Sequence, residues 1–130
     1  MKCLDTDILV AILRGNIDAK QTGIILDEEG GAYTTVISAY EILFGAKISE
    51  NKKENIEDTK KLLSKLDIID MNYDSAEKAS DIHAKLHEEG KIIDARDIFI
   101  AAIALSRGCE LITRNEKDFS RIKGLKIERW

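Results

Sequence analysis

Short apolar runs alternate along this chain with longer stretches in which apolar residues recur every three or four positions. Lys2-Cys3-Leu4-Asp5 reads as a buried strand ending at Asp5. From Asp7 to Arg14, Ile8, Leu9, Ile12 and Leu13 keep a helical period that Gly15 closes. Asn16 or Asp18 can cap a second helix, which contains Ile17, Ile24, Ile25 and Leu26 and stops at Gly30-Gly31. Ala32 to Val36 is β-branched and aromatic, a second strand. A helix is predicted from Ser38 through Ala46, and an amphipathic one with a solvated face over 49–66. Ile68 to Met71 is a third strand, Ser75 to Glu89 another amphipathic helix, and Asp97 to Ser106 a helix apolar on nearly every side, hence central. Cys109 to Thr113 is a fourth strand and Leu125 to Ile127 a weak fifth, with a polar, basic loop between them.

Strands alternating with helices predict an α/β fold with a central parallel sheet and right-handed crossovers. In such folds ligands sit at the carboxyl ends of strands. Asp5 and the Thr113-Arg114-Asn115 turn therefore belong to one rim.

The 130 residues show no linker or repeat, and are expected to form a single domain, 1–130. No apolar run approaches the roughly 18–20 residues that span a bilayer. An acid stands at position 5, unlike a signal peptide, so a cytoplasmic chain without membrane contact is expected. The 24 acids exceed the 20 bases, a net charge of −4, which argues against nucleic-acid binding by bulk charge. Cys3 and Cys109 form no CxxC pair and sit among apolar residues, as buried free thiols do. His83 and His87 are spaced i, i+4 on a helix but lack the HExxH order, and read as a surface pair.

The acids near the rim each have a plain alternative. Asp5 and Asp7 suit a helix N-cap, although Asp5 lies at the strand end. Glu41, three residues after Ser38, fits a capping box, yet Ile42-Leu43-Phe44 beside it suggests an inward face. Asp97 suits a first helical turn, with Asp94 as the better N-cap. Asn115 can turn the chain, and Asp118 is equally an ordinary surface acid. Carboxylates from distant segments meeting at one rim cannot all stay ionised uncompensated. A hard divalent cation such as Mg²⁺ or Mn²⁺ resolves that, and suits in-line phosphoryl displacement.

Leu4-Asp5-Thr6-Asp7, Ser38-Ala39-Tyr40-Glu41-Ile42, Asp97-Ile98-Phe99-Ile100-Ala101-Ala102 and Thr113-Arg114-Asn115-Glu116-Lys117-Asp118-Phe119 occur in that order. With them the chain resembles the PIN-domain ribonucleases, and within these the VapC toxins of toxin–antitoxin pairs, over nearly its whole length including Trp130. The resemblance implies a three-layer α/β/α fold and an endoribonuclease dependent on Mg²⁺ or Mn²⁺. It places the metal-binding acids on Asp5, Glu41 and Asp97. The family's fourth acidic position falls on Asn115, which puts a second metal in doubt or shifts the duty to Asp118. Thr6 and Thr113 match hydroxyl positions that orient water or phosphate. The implied partners are an RNA substrate, a cognate antitoxin and a second copy in a homodimer; single-stranded or looped RNA is expected, because a rim cleft reads exposed backbone rather than groove edges.

Arg96, Arg114, Lys117, Arg121 and Lys123 lie near the rim in sequence, as RNA-gripping or simply solvated bases. Two other readings compete. One is an α/β metal-dependent phosphatase using Asp5 and Asp7, for which the chain is too short to carry a clear cap domain. The other is a catalytically weak scaffold that pairs through the helices from Glu41 to Leu66, which the Asn115 departure favours.

Overall fold

Five short strands set the frame, and every ladder between them is parallel. The computed structural model describes residues 1–130. In chain order the elements are β1 (Lys2–Leu4), α1 (Thr6–Leu13), α2 (Ile17–Glu28), β2 (Tyr33–Thr35), α3 (Val36–Lys47), α4 (Lys52–Leu63), β3 (Asp67–Ile69), α5 (Tyr73–Glu88), α6 (Ala95–Ser106), β4 (Glu110–Ile112), α7 (Glu116–Phe119) and β5 (Ile127–Glu128). The sheet order is β3-β2-β1-β4-β5. The chain thus builds outward from β1 first to one side and then to the other, and the reversal puts a crevice at the carboxyl ends of β1 and β4.

The pleat sends alternate residues to opposite faces. Cys3 and Leu111, register partners, point into a core shared with α5, α6 and α7. Leu4 and Ile112, the next pair, point into a second core under α1 to α4. Two helical layers on one sheet give the expected α/β/α sandwich. α6 has the predicted central place: Ile98 and Ile100 to Ala104 are all buried.

Boundaries differ from the sequence expectation where capping chemistry overrides propensity. α3 begins at Val36, because the Thr35 side chain accepts the Ser38 N–H and caps the helix. Ser38 therefore lies inside the first turn, and the Ser38–Glu41 capping box does not form. The capping box of the chain is instead Asn72 with Ser75 at the head of α5. Asn16 caps α2 as expected, but Ile17, Ile24 and Ile25 of that helix are exposed and only Leu26 and Ala19 anchor it. The loop expected after β4 contains the one-turn helix α7, fastened by buried Phe119. Gly30 and Gly31 take φ of 111° and 102°, a left-handed stop after α2 that a Cβ would strain.

A helix that leads into a parallel strand starts at the carboxyl rim, as does one that leaves a strand. That topology places the heads of α1, α3 and α6 on the same edge of the sheet. Both cysteines are buried free thiols, and His83 and His87 are exposed, as read from the sequence.

Candidate metal centre at the carboxyl rim

Asp5 follows the last residue of β1, and its backbone N–H still bonds Ile112 O of β4 at 3.0 Å. Its side chain is 4% exposed. Both oxygens are tied: Oδ1 accepts the Thr6 N–H at 2.8 Å and Oδ2 accepts the Thr113 hydroxyl at 2.7 Å. Asp5 is therefore also the N-cap of α1. Burial pushes its carboxyl up to about 7, helped by the charges of Asp7 and Asp97 and opposed by the two hydrogen bonds.

Asp97 stands in the first turn of α6, behind Asp94, which caps that helix through the Arg96 N–H at 2.8 Å. It is half-buried. Burial raises its carboxyl to about 6, and the neighbouring charges of Glu41, Asp94 and Asp118 push the same way against Arg96. Asn115 joins this group by its amide, 3.5 Å from Asp97 Oδ2 and 3.3 Å from Asp118 Oδ2. Asp118 is thus drawn to the rim by α7 and faces Asp97 electrostatically.

Glu41 lies in the second turn of α3. Its Oε1 is 3.0 Å from Thr6 Oγ1, which in turn lies 2.9 Å from Ser38 Oγ, itself 3.3 Å from Thr35 Oγ1. Each hydroxyl owns one proton. The arrangement that satisfies all of them runs Thr35 to Ser38 to Thr6 to Glu41, and orients the carboxylate from a fully buried serine. Ser38 is a contributor that sequence reading assigned to a cap. Its signal was present in the hydroxyl triplet Thr35, Ser38 and Thr6, which becomes legible only when β2 is set beside β1.

Of the five bases near the rim in sequence, only Arg96 reaches an acid of this group, with Nη1 3.7 Å from Glu41 Oε2. Arg114 is turned instead to Trp130: its guanidinium carbon is 3.5 Å from the indole ring centre, and its Nε donates to Trp130 O at 2.9 Å. Lys117 lies over a shallow hollow with Ser120 and Ile127, and Arg121 and Lys123 line a groove against Asp81 and Lys85 of α5. The turn of α7 carries these three past the rim.

The donor set is oxygen only, from carboxylates, hydroxyls and an amide, which suits a hard divalent ion. No protein cation forms a salt bridge with Asp5 or Asp97, and burial raises both carboxyls. No three His, Cys, Asp or Glu side chains are gathered closely enough to cage an ion. A groove of about 280 Å³ opens beside Glu41, lined by Val10, Leu13, Ile42, Asn55 and Thr59.

A family model for the PIN domain matches residues 2–125. The chain is 32% identical over 127 residues to Ribonuclease VapC2 of Haemophilus influenzae, covering 98% of this chain and 96% of that protein. It is 27% identical over 127 residues to a tRNA(fMet)-specific endonuclease VapC of Shigella flexneri, with the same coverage of 98% and 96%. Its fold superposes on the crystal structure of VapBC2 from Rickettsia felis bound to a promoter DNA fragment, with TM-score 0.93, 27% identity and coverage of 99% and 98%. The sheet topology thus agrees with a family match that spans almost every residue: the chain belongs to the PIN-domain family, on its VapC branch.

Proposed function

We propose that residues 1–130 act as one PIN domain, a divalent-metal-dependent endoribonuclease that is the toxin of a VapBC pair. The observation that supports this reading is that Asp97 stands within electrostatic reach of both Asp5 and Glu41, acids of three separate elements along one rim, while neither Asp5 nor Asp97 has a salt-bridge partner. Asp5 and Asp97 hold the ion, and Glu41 either binds it or positions the attacking water. A bound Mg²⁺ or Mn²⁺ supplies Lewis-acid stabilisation of the charge that develops on the phosphoryl oxygens. Thr6 keeps Glu41 aimed, and Thr113 fixes Asp5. Arg96, exposed beside Glu41, meets the RNA phosphate next to the scissile bond. Asn115 bridges Asp97 and Asp118 as a neutral spacer, so one ion rather than two is the assignment the charges favour.

RNA is the substrate class, supported by the printed names of the Haemophilus and Shigella relatives. The antitoxin partner is supported by the Rickettsia complex, and the mixed polar and apolar groove that reaches Glu41 is where such a chain would meet the acids. An exposed stripe on α3 supports a homodimer: Tyr40 and Phe44 stack with ring centres 6.2 Å apart, and Ile48 continues the line. No helix is long and apolar enough to cross a membrane, and we assign the protein to the cytoplasm, where its RNA substrate resides.

Antitoxin-free protein incubated with tRNA and other structured RNAs tests the reading. Cleavage with Mn²⁺ or Mg²⁺, lost with EDTA and in Asp5→Asn and Asp97→Asn, is the expected result. Cleavage unchanged by both substitutions overturns the site. Absence of cleavage on every RNA with either ion overturns the enzyme and leaves the scaffold reading.

A further inference from the structure

Thr113 carries one hydroxyl proton, and two carboxylates compete for it. Asp5 Oδ2 lies 2.7 Å from Thr113 Oγ1 and Asp7 Oδ2 lies 3.2 Å away, while the Asn115 N–H donates to the same oxygen at 2.9 Å. The proton can serve only one acid at a time. Asp7 has two donors of its own that can do nothing but donate. The Arg114 backbone N–H reaches Asp7 Oδ2 at 2.8 Å, and the Trp130 indole N–H reaches Oδ1 at 3.1 Å.

Trp130 is held in place for this by the same residue. The Arg114 guanidinium stacks on the indole at 3.5 Å, and its Nε binds Trp130 O at 2.9 Å. Asp7, Arg114 and Trp130 therefore form a closed ring around the turn after β4. Because 123 residues separate Asp7 from Trp130, the ring ties the end of the sequence to the head of α1, directly behind Asp5.

We propose that Trp130 is a positioning residue for the metal centre: its indole N–H, held over Arg114, anchors Asp7 through Oδ1, weakens the pull of that carboxylate on the Thr113 hydroxyl, and so favours the bond from Thr113 to Asp5. Without that donor Asp7 draws the hydroxyl to itself, and one oxygen of Asp5 loses its orienting bond. Arg114 acts through this ring and not by gripping RNA. The inference rests on the reading of Asp5 as a ligand of the divalent ion.

Mn²⁺ affinity measured by calorimetry, with no RNA present, tests it. The set is the wild type, Trp130→Phe, Thr113→Val, the double variant and Asp5→Asn, each also unfolded in urea with EDTA. Trp130 is the sole tryptophan, so benzothienylalanine can replace it throughout, keeping the bicyclic shape and deleting only the N–H. The expected result is a roughly 10-fold loss of Mn²⁺ affinity in Trp130→Phe and in the benzothienyl protein, of the size seen when a ligand's orienting partner is removed. Thr113→Val should lose at least as much, and the double variant no more than Thr113→Val, since both act on one bond. Unchanged affinity in the benzothienyl protein, or losses that multiply in the double variant, overturn the proposal. If Asp5→Asn binds Mn²⁺ like the wild type, or the wild type binds none, the metal reading falls and this inference falls with it. If Asp5→Asn loses binding and the Trp130 variants do not, only this inference falls.

Discussion

Replacing Asp5 by asparagine should stabilise the metal-free protein while ending its activity. The buried Asp5 carboxyl is raised from 3.8 to about 7. A group raised on folding contributes stability that is complete below its unfolded value and is lost as pH climbs to the folded value. The loss therefore accrues between about pH 4 and pH 7 and levels off above. Three units at about 1.4 kcal/mol each give about 4 kcal/mol as the full linkage, and a net of about 2–4 kcal/mol after relaxation around the site. Asparagine suits the vacated bonds: its oxygen accepts the Thr6 N–H, its amide donates to Thr113 Oγ1, and the Thr113 proton turns to Asp7. Urea unfolding with EDTA should show the variant's advantage growing from pH 4 to pH 7.5. Thermal midpoints at pH 8 should rise by roughly 3–5 °C per kcal/mol for a domain of this size. Adding Mn²⁺ should raise the wild-type midpoint and leave the variant's unchanged. Stability curves that run parallel across this pH range, or a variant less stable at pH 8, would refute the reasoning that Asp5 is an uncompensated buried charge.

Asp97→Asn should reduce RNA cleavage by more than the roughly 10–100-fold typical of groups one step removed from an ion, with a smaller stability gain than at position 5, because Asp97 is only half-buried; a gel-based cleavage assay and urea unfolding measure both. Ser38→Ala interrupts the hydroxyl relay to Glu41 and should lower stability by about 1 kcal/mol, with cleavage rates falling while the metal-free fold, followed by circular dichroism, stays intact. Asn115→Asp sets a further carboxylate 3.5 Å from Asp97 and 3.3 Å from Asp118; it should destabilise the metal-free protein above pH 7 by about 1 kcal/mol and tighten Mn²⁺ binding in calorimetry. His83→Ala with His87→Ala should leave Mn²⁺ affinity unchanged, since both side chains are exposed on α5.

Much of the fold was legible because its signals are local. The period-2 pairs Cys3-Leu4 and Leu111-Ile112 announce a strand buried on both faces, and the apolar run from Ile98 to Leu105 announces a central helix. Asp5, Glu41 and Asp97 stand out because topology alone puts the ends of β1, α3 and α6 at one rim. What stayed hidden depends on contacts far apart in sequence. Whether Ser38 caps a helix or hydrogen-bonds Thr6 is decided by Thr35 taking the cap. The bases after β4 cluster in sequence near the acids, yet the single turn of α7 sends Lys117, Arg121 and Lys123 elsewhere. The isoleucines of α2 look like core residues, but the short distance back to β2 leaves only Leu26 and Ala19 facing inward.

Neutral donors, hydroxyls above all, hold Asp5, Glu41 and Asp97 more than bases do. A lysine beside Asp5 would neutralise it and lower its carboxyl, stabilising the fold but taking the place of a cation. A threonine donates one bond, leaves the negative charge intact, and would not compete with a divalent ion at the proposed site. Thr113 does this for Asp5 and Thr6 does it for Glu41. The net charge of −4 says little about this arrangement, which turns on a few acids, two of them, Asp5 and Asp97, held by neutral donors alone. Arg96, 3.7 Å from Glu41 and half-exposed, is the exception, and because it is half in solvent it could exchange that carboxylate for a phosphate oxygen of the proposed substrate without leaving a buried charge unpaired.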